Sequence, residues 1–182
     1  MESLAIAEVI SVTPIGMGTR VCLDVIDQLA PSEGIFVGNT GNGYLLVLSE
    51  NRSTNTYPPR PFRMNGGAIH QYLHLDEGKT TYLSEVKPGL EVPIWQGNEV
   101  RKVAVGRVKV EKRPFLRVVC QVEGTEQEIS ATLQEADSVH VLTADGQAKA
   151  VLDLEKGDRI TCYPDQPGRH LGEKIDEEIS EY

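Results

Sequence analysis

The chain has 182 residues, of which 40% are hydrophobic and 25% are charged, a balance typical of globular proteins with a sizeable core. Only 5% are aromatic, so we expect a core built mainly from valine, isoleucine and leucine. With 27 acidic and 18 basic residues, the formal net charge is −9. This charge argues against nucleic acid or an anionic membrane as partner, but it is compatible with a small anionic ligand bound by a local group of arginines.

The sequence indicates a cytoplasmic protein. No apolar run approaches the roughly 18 residues of a membrane-spanning helix. Glu2 and Glu8 stand where a secretion signal would be basic and then apolar. The three cysteines, Cys22, Cys120 and Cys162, are far apart and odd in number, so they predict neither a disulfide framework nor a zinc knuckle. We expect them to be reduced, buried thiols.

Short apolar runs, many alternating with a period of two, follow one another along the whole chain. They predict strands at 4–12, 20–26, 34–37, 44–48, 68–75, 80–83, 91–95, 100–110, 116–123, 126–133, 138–143 and 159–163. Glycine and proline at 14–18 predict a turn, and Asn-Gly at 42–43 predicts a hairpin with positive φ. The polar, proline-containing segment 51–61 predicts a loop. Only short helical pieces are indicated, at 24–29 and 132–137.

Turn signals recur about every 8–12 residues, a spacing typical of small all-β domains. The sequence therefore predicts a mainly β fold, an antiparallel barrel- or sandwich-like domain with SH3-like barrel modules and few short helices. An internal similarity supports two related modules. Segment 83–94 lines up with segment 151–162, and Gly89 falls over Gly157 in a pattern typical of a turn that leads into a strand.

From this similarity we predict three consecutive parts. They are an N-terminal β segment, a β-barrel-like module and a C-terminal β module packed on the preceding one, at 1–65, 66–145 and 146–182. We expect the three parts to form a single compact unit, because two similar modules are too few for a repeat array.

The richest group of reactive side chains lies between residues 60 and 70. It comprises Arg60, Arg63, Asn65 and His70, with a glycine pair that lets a backbone approach a ligand closely. Arginine binds a carboxylate through two parallel hydrogen bonds, and a neighbouring histidine can donate or accept a proton. The segment therefore predicts an anion clamp beside an acid–base group. A surface loop with a solvated charge pair is the alternative.

A second group is Arg169 and His170, bracketed by Gly168 and Gly172. These two polar residues have no evident structural purpose, so proton transfer or anion binding is one interpretation. The alternative is a simple turn.

A third group surrounds Gly16 and Gly18, which precede Arg20, Cys22 and Asp24. The Gly-x-Gly pattern suggests dinucleotide binding, although a third glycine and a strand-to-helix turn are absent. Cys22 is a candidate reactive thiol, and a buried core thiol is the alternative.

Taken in order, several segments resemble one family over nearly the whole chain. They are PIGMGTRVCLD (14–24), GIFVG (34–38), RPFRMNGGAIHQY (60–72), KTTYLSE (79–85), VGRVKVEKRP (105–114), LQEAD (133–137) and GRHLG (168–172). The set resembles the C-terminal domain of archaeal-type (type II) 3-dehydroquinate synthases, including the related 3-amino-4-hydroxybenzoate synthases.

The resemblance implies an enzyme of aromatic amino acid biosynthesis in the shikimate pathway, with lyase and oxidoreductase chemistry. Its expected substrate is an aminated, open-chain keto sugar acid. A hydride passes from the amine-bearing carbon to NAD, the imine is hydrolysed, and the ketone closes into the dehydroquinate ring. The related synthases instead cyclise a C4-derived adduct with a divalent metal. NAD and a divalent ion, manganese or magnesium, are therefore the expected cofactors.

The resemblance also implies roles for individual residues. His70 and His170 are the expected catalytic residues. The expected contacts to an anionic substrate are Arg60, Arg63, Asn65, Lys79 and Arg169; those to the cofactor are Gly16, Gly18 and Asp24; and Glu135 is a candidate metal ligand.

Family members are about twice this length, and their N-terminal half has no counterpart in this sequence. We therefore expect a separate chain that supplies that half, or a homo-oligomer, because unpaired strand edges are normally covered. Thr81 and Glu135 depart from the family pattern, in which arginine and asparagine are usual, and both changes disfavour an anionic substrate. The alternative function is a non-catalytic β-barrel subunit that binds a metabolite or a protein.

Overall fold

The computed structural model describes residues 4–166, the backbone of 169–170 and 173–174, and residues 179–182. Within these residues the chain forms strands β1 (Ala5–Val25), β2 (Gly34–Gly38), β3 (Gly43–Leu48), β4 (Arg63–Ala68), β5 (Tyr72–His74), β6 (Thr80–Tyr82), β7 (Glu91–Gln96), β8 (Glu99–Val122), β9 (Glu128–Gln134), β10 (His140–Leu142), β11 (Ala148–Ala150), β12 (Arg159–Pro164), β13 (Arg169–His170) and β14 (Glu173–Lys174). One-turn 3₁₀ helices lie at Asp76–Gly78, Leu83–Glu85 and Val151–Asp153. None of these described helices is long and apolar enough to cross a membrane.

The two longest strands, β1 and β8, pair with each other from Ala7 opposite Val122 to Val25 opposite Val105. We call this pair the ribbon. The turn predicted at 14–18 is wrong, because β1 stays extended there and absorbs Ile15 in a bulge beside Gly16. Gly16 has φ +101°, a conformation that glycine adopts without strain.

Six strands close into a ring. The pairings run β3–β12–β1–β8–β7–β2, and β2 pairs with β3 to complete the circuit. Every described pairing is antiparallel, which confirms the predicted mainly β, antiparallel fold with few short helices. The ring includes strands from all three predicted parts, since β1, β8 and β12 are neighbours within it.

Strand alternation divides the apolar residues into two clusters. All six ring strands contribute to the larger cluster; Ile35 and Val37 of β2 are two of its members. Phe36, between them, faces outward into an aromatic cluster with Tyr44, Trp95 and Tyr163. The ring is therefore filled by aliphatic side chains, as the composition predicts, and the aromatic cluster covers the outside of β2 and β3.

The internal similarity is a repeated piece of backbone. Leu83–Glu85 and Val151–Asp153 form the same 3₁₀ turn, and Gly89 and Gly157 follow with φ +98° and +96°. The two glycine N–H groups donate to equivalent carbonyls of β8 and β1, each at 2.8 Å. Each turn thus attaches one strand to the ribbon, β7 to β8 and β12 to β1.

The local turn predictions have mixed outcomes. Segment 51–61 is a loop, as predicted, and β2 and β3 form the predicted hairpin. The described positive φ angles do not include residues 42–43, so the expected turn conformation there is wrong. The helical pieces at 24–29 and 132–137 are also wrong. Thr132 stays extended because its N–H donates to Gln71 Oε1 at 2.7 Å while β9 pairs with β8.

Candidate functional site

One face of β1 is polar although it is buried. Arg20, Cys22 and Asp24 alternate with the core residues Val21 and Leu23, and all five are buried. Strand β4 pairs with this part of β1 and brings Arg63 opposite Asp24. The sequence region that carries the predicted clamp therefore lies against the polar face of β1.

Asp24 is held by two arginines. Its carboxylate accepts hydrogen bonds from Arg63 Nε at 2.8 Å and Nη2 at 3.1 Å, and from Arg107 Nε at 2.7 Å. Burial alone would raise the pKa of Asp24, but the hydrogen bonds from Arg63 and Arg107 outweigh it and hold the pKa below its ordinary value. Asp24 is therefore an ionised partner of two guanidinium groups.

Arg60 pairs with a second buried carboxylate. Its Nη2 lies 2.5 Å from Glu50 Oε1, and its guanidinium stacks over the Tyr57 ring at 4.1 Å. Burial raises the pKa of Glu50, and the nearby Arg60 and Arg63 oppose that rise. Both arginines of the predicted clamp thus already bind carboxylates of this chain, a contact that local sequence patterns do not reveal.

Arg20 extends the polar network to β9. Its Nη1 donates to Gln134 Oε1 at 2.9 Å, an oxygen that also accepts from Asn65 Nδ2 at 2.8 Å. Its Nη2 donates to Glu111 at 3.1 Å, while its buried Nε has no partner among the described residues. Sequence reasoning grouped Arg20 with Cys22 and Asp24 without giving it a partner, and it missed Glu50 and Gln134. Arg20 and Gln134 are 114 residues apart, and the loop that brings Glu50 to Arg60 has no periodic pattern.

Gln71 joins β4 to β9, which do not pair as strands. Its Nε2 donates to the carbonyls of Gly66 and Thr132, each at 2.9 Å, and its Oε1 accepts from the Thr132 N–H. Gly67 lies between these groups with φ +83°. A tight polar junction therefore fixes the backbone between Asn65 and His70.

We expect Gly67→Ala to lower the free energy of unfolding by about 2–4 kcal/mol, because the new methyl group adds strain and overpacking. A Cβ there would collide with the Thr132 carbonyl oxygen and lie 2.6 Å from Gln71 Nε2. Gly89→Ala is the matched control. It has φ +98° but open space around the new atom, so only the conformational cost of about 1 kcal/mol is expected. Urea unfolding followed by Trp95 fluorescence measures both, and equal losses would contradict the collision.

His70 is the most accessible reactive group on this junction. Its Nε2 lies 2.8 Å from Asn39 Oδ1, which also accepts a hydrogen bond from Thr132 Oγ1 at 2.7 Å. Asn39 is oriented by a third hydrogen bond, from its Nδ2 to Ser130 Oγ at 3.0 Å. Because an amide oxygen only accepts, Nε2 carries the proton and Nδ1 is the basic nitrogen. Partial burial lowers the pKa of His70, so the ring is neutral at pH 7.

The other predicted residues are placed differently. Lys79 is exposed and lines a shallow depression with Asp76, Glu91 and Lys102, outside the network around Asn65. Glu135 is exposed just after β9. The side chains of Arg169 and His170 lie outside the described residues, and only their backbone pairing with 173–174 is defined.

The residues expected to contact the cofactors are placed as follows. Among the described residues no group of three or more histidine, cysteine or acidic side chains could hold a metal ion, and metal binding by Glu135 stays a prediction. Gly16 and Gly18 lie inside an extended strand, and the Asp24 carboxylate is bound by arginines. No step through NAD or a metal is assigned to these residues, and NAD binding stays a prediction. Burial raises the pKa of Cys22 to about 12, as expected of an unreactive core thiol.

The fold and the site define a ring of antiparallel strands with a buried arginine–carboxylate network beside an accessible histidine. A family model described as "3-dehydroquinate synthase II C-terminal domain" matches residues 6–182. The chain therefore belongs to the 3-dehydroquinate synthase II family, which confirms the resemblance in its sequence.

Curated relatives agree with this family. The "3-dehydroquinate synthase" of Methanopyrus kandleri is 39% identical over 98% of the chain and 45% of its own length. That of Methanospirillum hungatei is 42% identical, covering 95% of the chain and 52% of its own length. A "3-dehydroquinate synthase homolog" of Persephonella marina is 41% identical, covering 96% and 53%. The chain thus spans about half the length of these relatives. No solved structure matches it.

Proposed function

We propose that this chain is the C-terminal part of a 3-dehydroquinate synthase II-like enzyme. Its substrate is an aminated open-chain keto sugar acid or a related C7 precursor, which is cyclised in aromatic or secondary-metabolite biosynthesis. The single observation that carries the proposal is that a chain of this family exposes an imidazole, His70, whose tautomer is fixed by Asn39. Imine hydrolysis and ring closure both need proton transfers, and a neutral histidine near pH 7 is suited to them.

The buried network has a positioning role in this proposal. Arg63–Asp24 and the Gln71 bridge hold segment 60–70 against β1 and β9, and Arg60–Glu50 holds its start against the residues that follow β3. Arg107 is the arginine of this network with the most exposed side chain, 62%, while its Nε still binds Asp24. Its remaining N–H groups are the best-placed donors for a substrate carboxylate.

The remainder of the active site comes from the part of the relatives that this chain does not span. The proposal is that this other half is joined to the domain or supplied by a separate polypeptide. Two observations support it: the family model describes a C-terminal domain, and the relatives are about twice as long. A homo-oligomer is the second arrangement, and it would complete the site with residues of this chain only.

The test is mass spectrometry of products from the purified chain and the aminated sugar acid, with and without NAD and Mn²⁺. A parallel set adds the other half of the Methanospirillum hungatei relative. We expect dehydroquinate in the mixture that contains both halves. The absence of product in every combination would contradict the catalytic proposal. A second assay replaces the aminated sugar acid by the C4-derived adduct, and aminohydroxybenzoate formed from it would instead assign the chain to the related chemistry.

A second candidate function is a non-catalytic module that binds a metabolite or a protein. It is favoured by one observation, namely that Arg60 and Arg63, the predicted clamp, already bind Glu50 and Asp24. Calorimetric titration with the aminated sugar acid separates the two candidates when it is combined with the product assay. Binding without turnover in the presence of the other half would establish this second function.

A further inference from the structure

The middle of the ribbon has two open strand edges. On the sides facing away from the ribbon, β12 and β4 pair with the start and end of β1, and β7 and β9 with the start and end of β8. Between these pairings, residues 10–18 of β1 and 106–113 of β8 have no strand partner on that side within the described part of the chain. Unpaired edges of this kind are places where another chain can associate.

Three exposed apolar side chains lie on the same part of the ribbon, and two more lie next to it. Ile15, Met17 and Val110 are 52%, 68% and 53% exposed. Ile26 lies against Gly106 of β8, and the Ile69 N–H donates to the Thr19 carbonyl of β1. These five are among nine exposed large hydrophobic residues of the described chain, so over half of them lie on or against the ribbon. Concentrated exposed apolar surface marks an interaction site.

The β1 edge has two features that disfavour the addition of another strand. Pro14 lacks an N–H, and the bulge at Ile15 interrupts the regular edge. Neither feature covers the side chains of Ile15 and Met17. A partner is therefore expected to bind mainly through apolar side-chain contacts rather than through a long added strand.

The β8 edge supplies positive charge in a chain whose net charge is −9. Segment 106–113 contains Arg107, Lys109, Lys112 and Arg113, and its single acidic residue, Glu111, is contacted by Arg20, Lys109 and Arg113. In a symmetric dimer through this surface, the same basic residues would face each other. The charge pattern thus favours a different partner, with apolar contacts flanked by acidic residues, over a second copy.

We infer that the middle of the ribbon, residues 10–18 and 106–113, binds the half of the longer relatives that this chain does not span. The family model describes a C-terminal domain, so that half precedes β1, and β1 leads directly into the open edge. Consecutive parts of a chain are usually adjacent in space. The choice of partner rests on the proposed function, whereas the location of the surface rests on the edges, exposure and charge described above.

The test is binding of the full chain to the part of the Methanospirillum hungatei relative that precedes the matched domain. Light scattering after size exclusion gives the stoichiometry, and calorimetry gives the affinity. We expect a 1:1 complex that Met17→Lys weakens at least about 10-fold, because a charge would be buried at the contact. Leu152→Lys is the matched control. Leu152 is 48% exposed but lies on a 3₁₀ turn outside the ribbon, so no change is expected.

Each outcome decides a separate point. No complex with the wild-type chain, or a wild-type homodimer that Met17→Lys dissociates, would overturn the choice of partner. A complex that Met17→Lys leaves unchanged would overturn the surface. A complex without turnover would count against the proposed reaction and leave this inference standing. Trp95 fluorescence of both variants verifies that the aromatic cluster is intact.

Discussion

Asp24→Asn is expected to lower the free energy of unfolding by about 3–5 kcal/mol, the usual cost of removing one partner of a buried ion pair. Asp24 is 3% exposed, and its charge neutralises Arg63 and Arg107 through three hydrogen bonds. The variant leaves Arg63, which is 7% exposed, as a buried cation without its carboxylate. In the variant, an amide nitrogen takes the place of one carboxylate oxygen. This nitrogen is a hydrogen-bond donor facing the donor groups of a guanidinium, so the two repel each other.

Urea unfolding at pH 7, followed by Trp95 fluorescence, measures this loss, because Trp95 is the single tryptophan and is buried. The control is Asp27→Asn, which removes an exposed partner of Arg101 and is expected to leave the midpoint unchanged.

The contribution of Asp24 to stability should depend on pH. Because folding lowers the pKa of Asp24, its stabilisation of the folded state is fully present above the unfolded value of about 3.9 and is lost as the pH falls below it. If the difference in the free energy of unfolding between variant and wild type stayed the same at lower pH, this would argue against the ion pair.

His70→Gln is expected to lower turnover of the complete two-half enzyme by about 10²–10⁴-fold, the usual contribution of a general acid–base group. Glutamine can keep a hydrogen bond to Asn39, so the fold and the Thr132 contact should survive. It cannot take up a proton at neutral pH. The loss should therefore appear in the rate and not in the unfolding midpoint.

The matched control is His140→Gln, since His140 is a second histidine, of intermediate exposure, that contacts the Ser138 carbonyl away from Asn39. Partial burial lowers the pKa of His70, so the wild-type rate should rise with pH through a midpoint below the ordinary value of about 6.5. The His70→Gln variant should lack this rise. A variant that keeps both the rate and the pH profile would remove His70 from the mechanism.

The fold class was predictable because period-two alternation reports strands directly. The errors arose where a strand continues through residues that usually break it. Pro14 and Gly16 indicate a turn, yet they form a bulge within a continuous strand. Seventeen residue pairs between β1 and β8 keep that strand extended, and a local sequence pattern does not report such long-range pairing. The wrong helix at 132–137 has the same origin, because the Gln71 side chain and the partner strand β8 decide the conformation of Thr132.

The site was predictable only as a set of residue types. Segment 60–70 does place Arg63, Asn65 and His70 against polar partners, namely Asp24, Gln134 and Asn39. The carboxylate partner of Arg63 could not be read from its own segment, because Asp24 reaches Arg63 only through the pairing of β1 with β4. Glu50 is ten residues before Arg60, but the loop that folds it back has no periodic signal.

The ring topology sets an order for folding during synthesis. Of the strands described, β1 is synthesised first, but its neighbours in the ring are β8 and β12, and β12 ends at Pro164. β1 must therefore wait for most of this domain before both of its sides can pair within the ring. Such long-range pairing slows folding and prolongs exposure of apolar segments. A nascent chain that stalls before β12 would hold an unclosed ring, a state that chaperones are expected to bind.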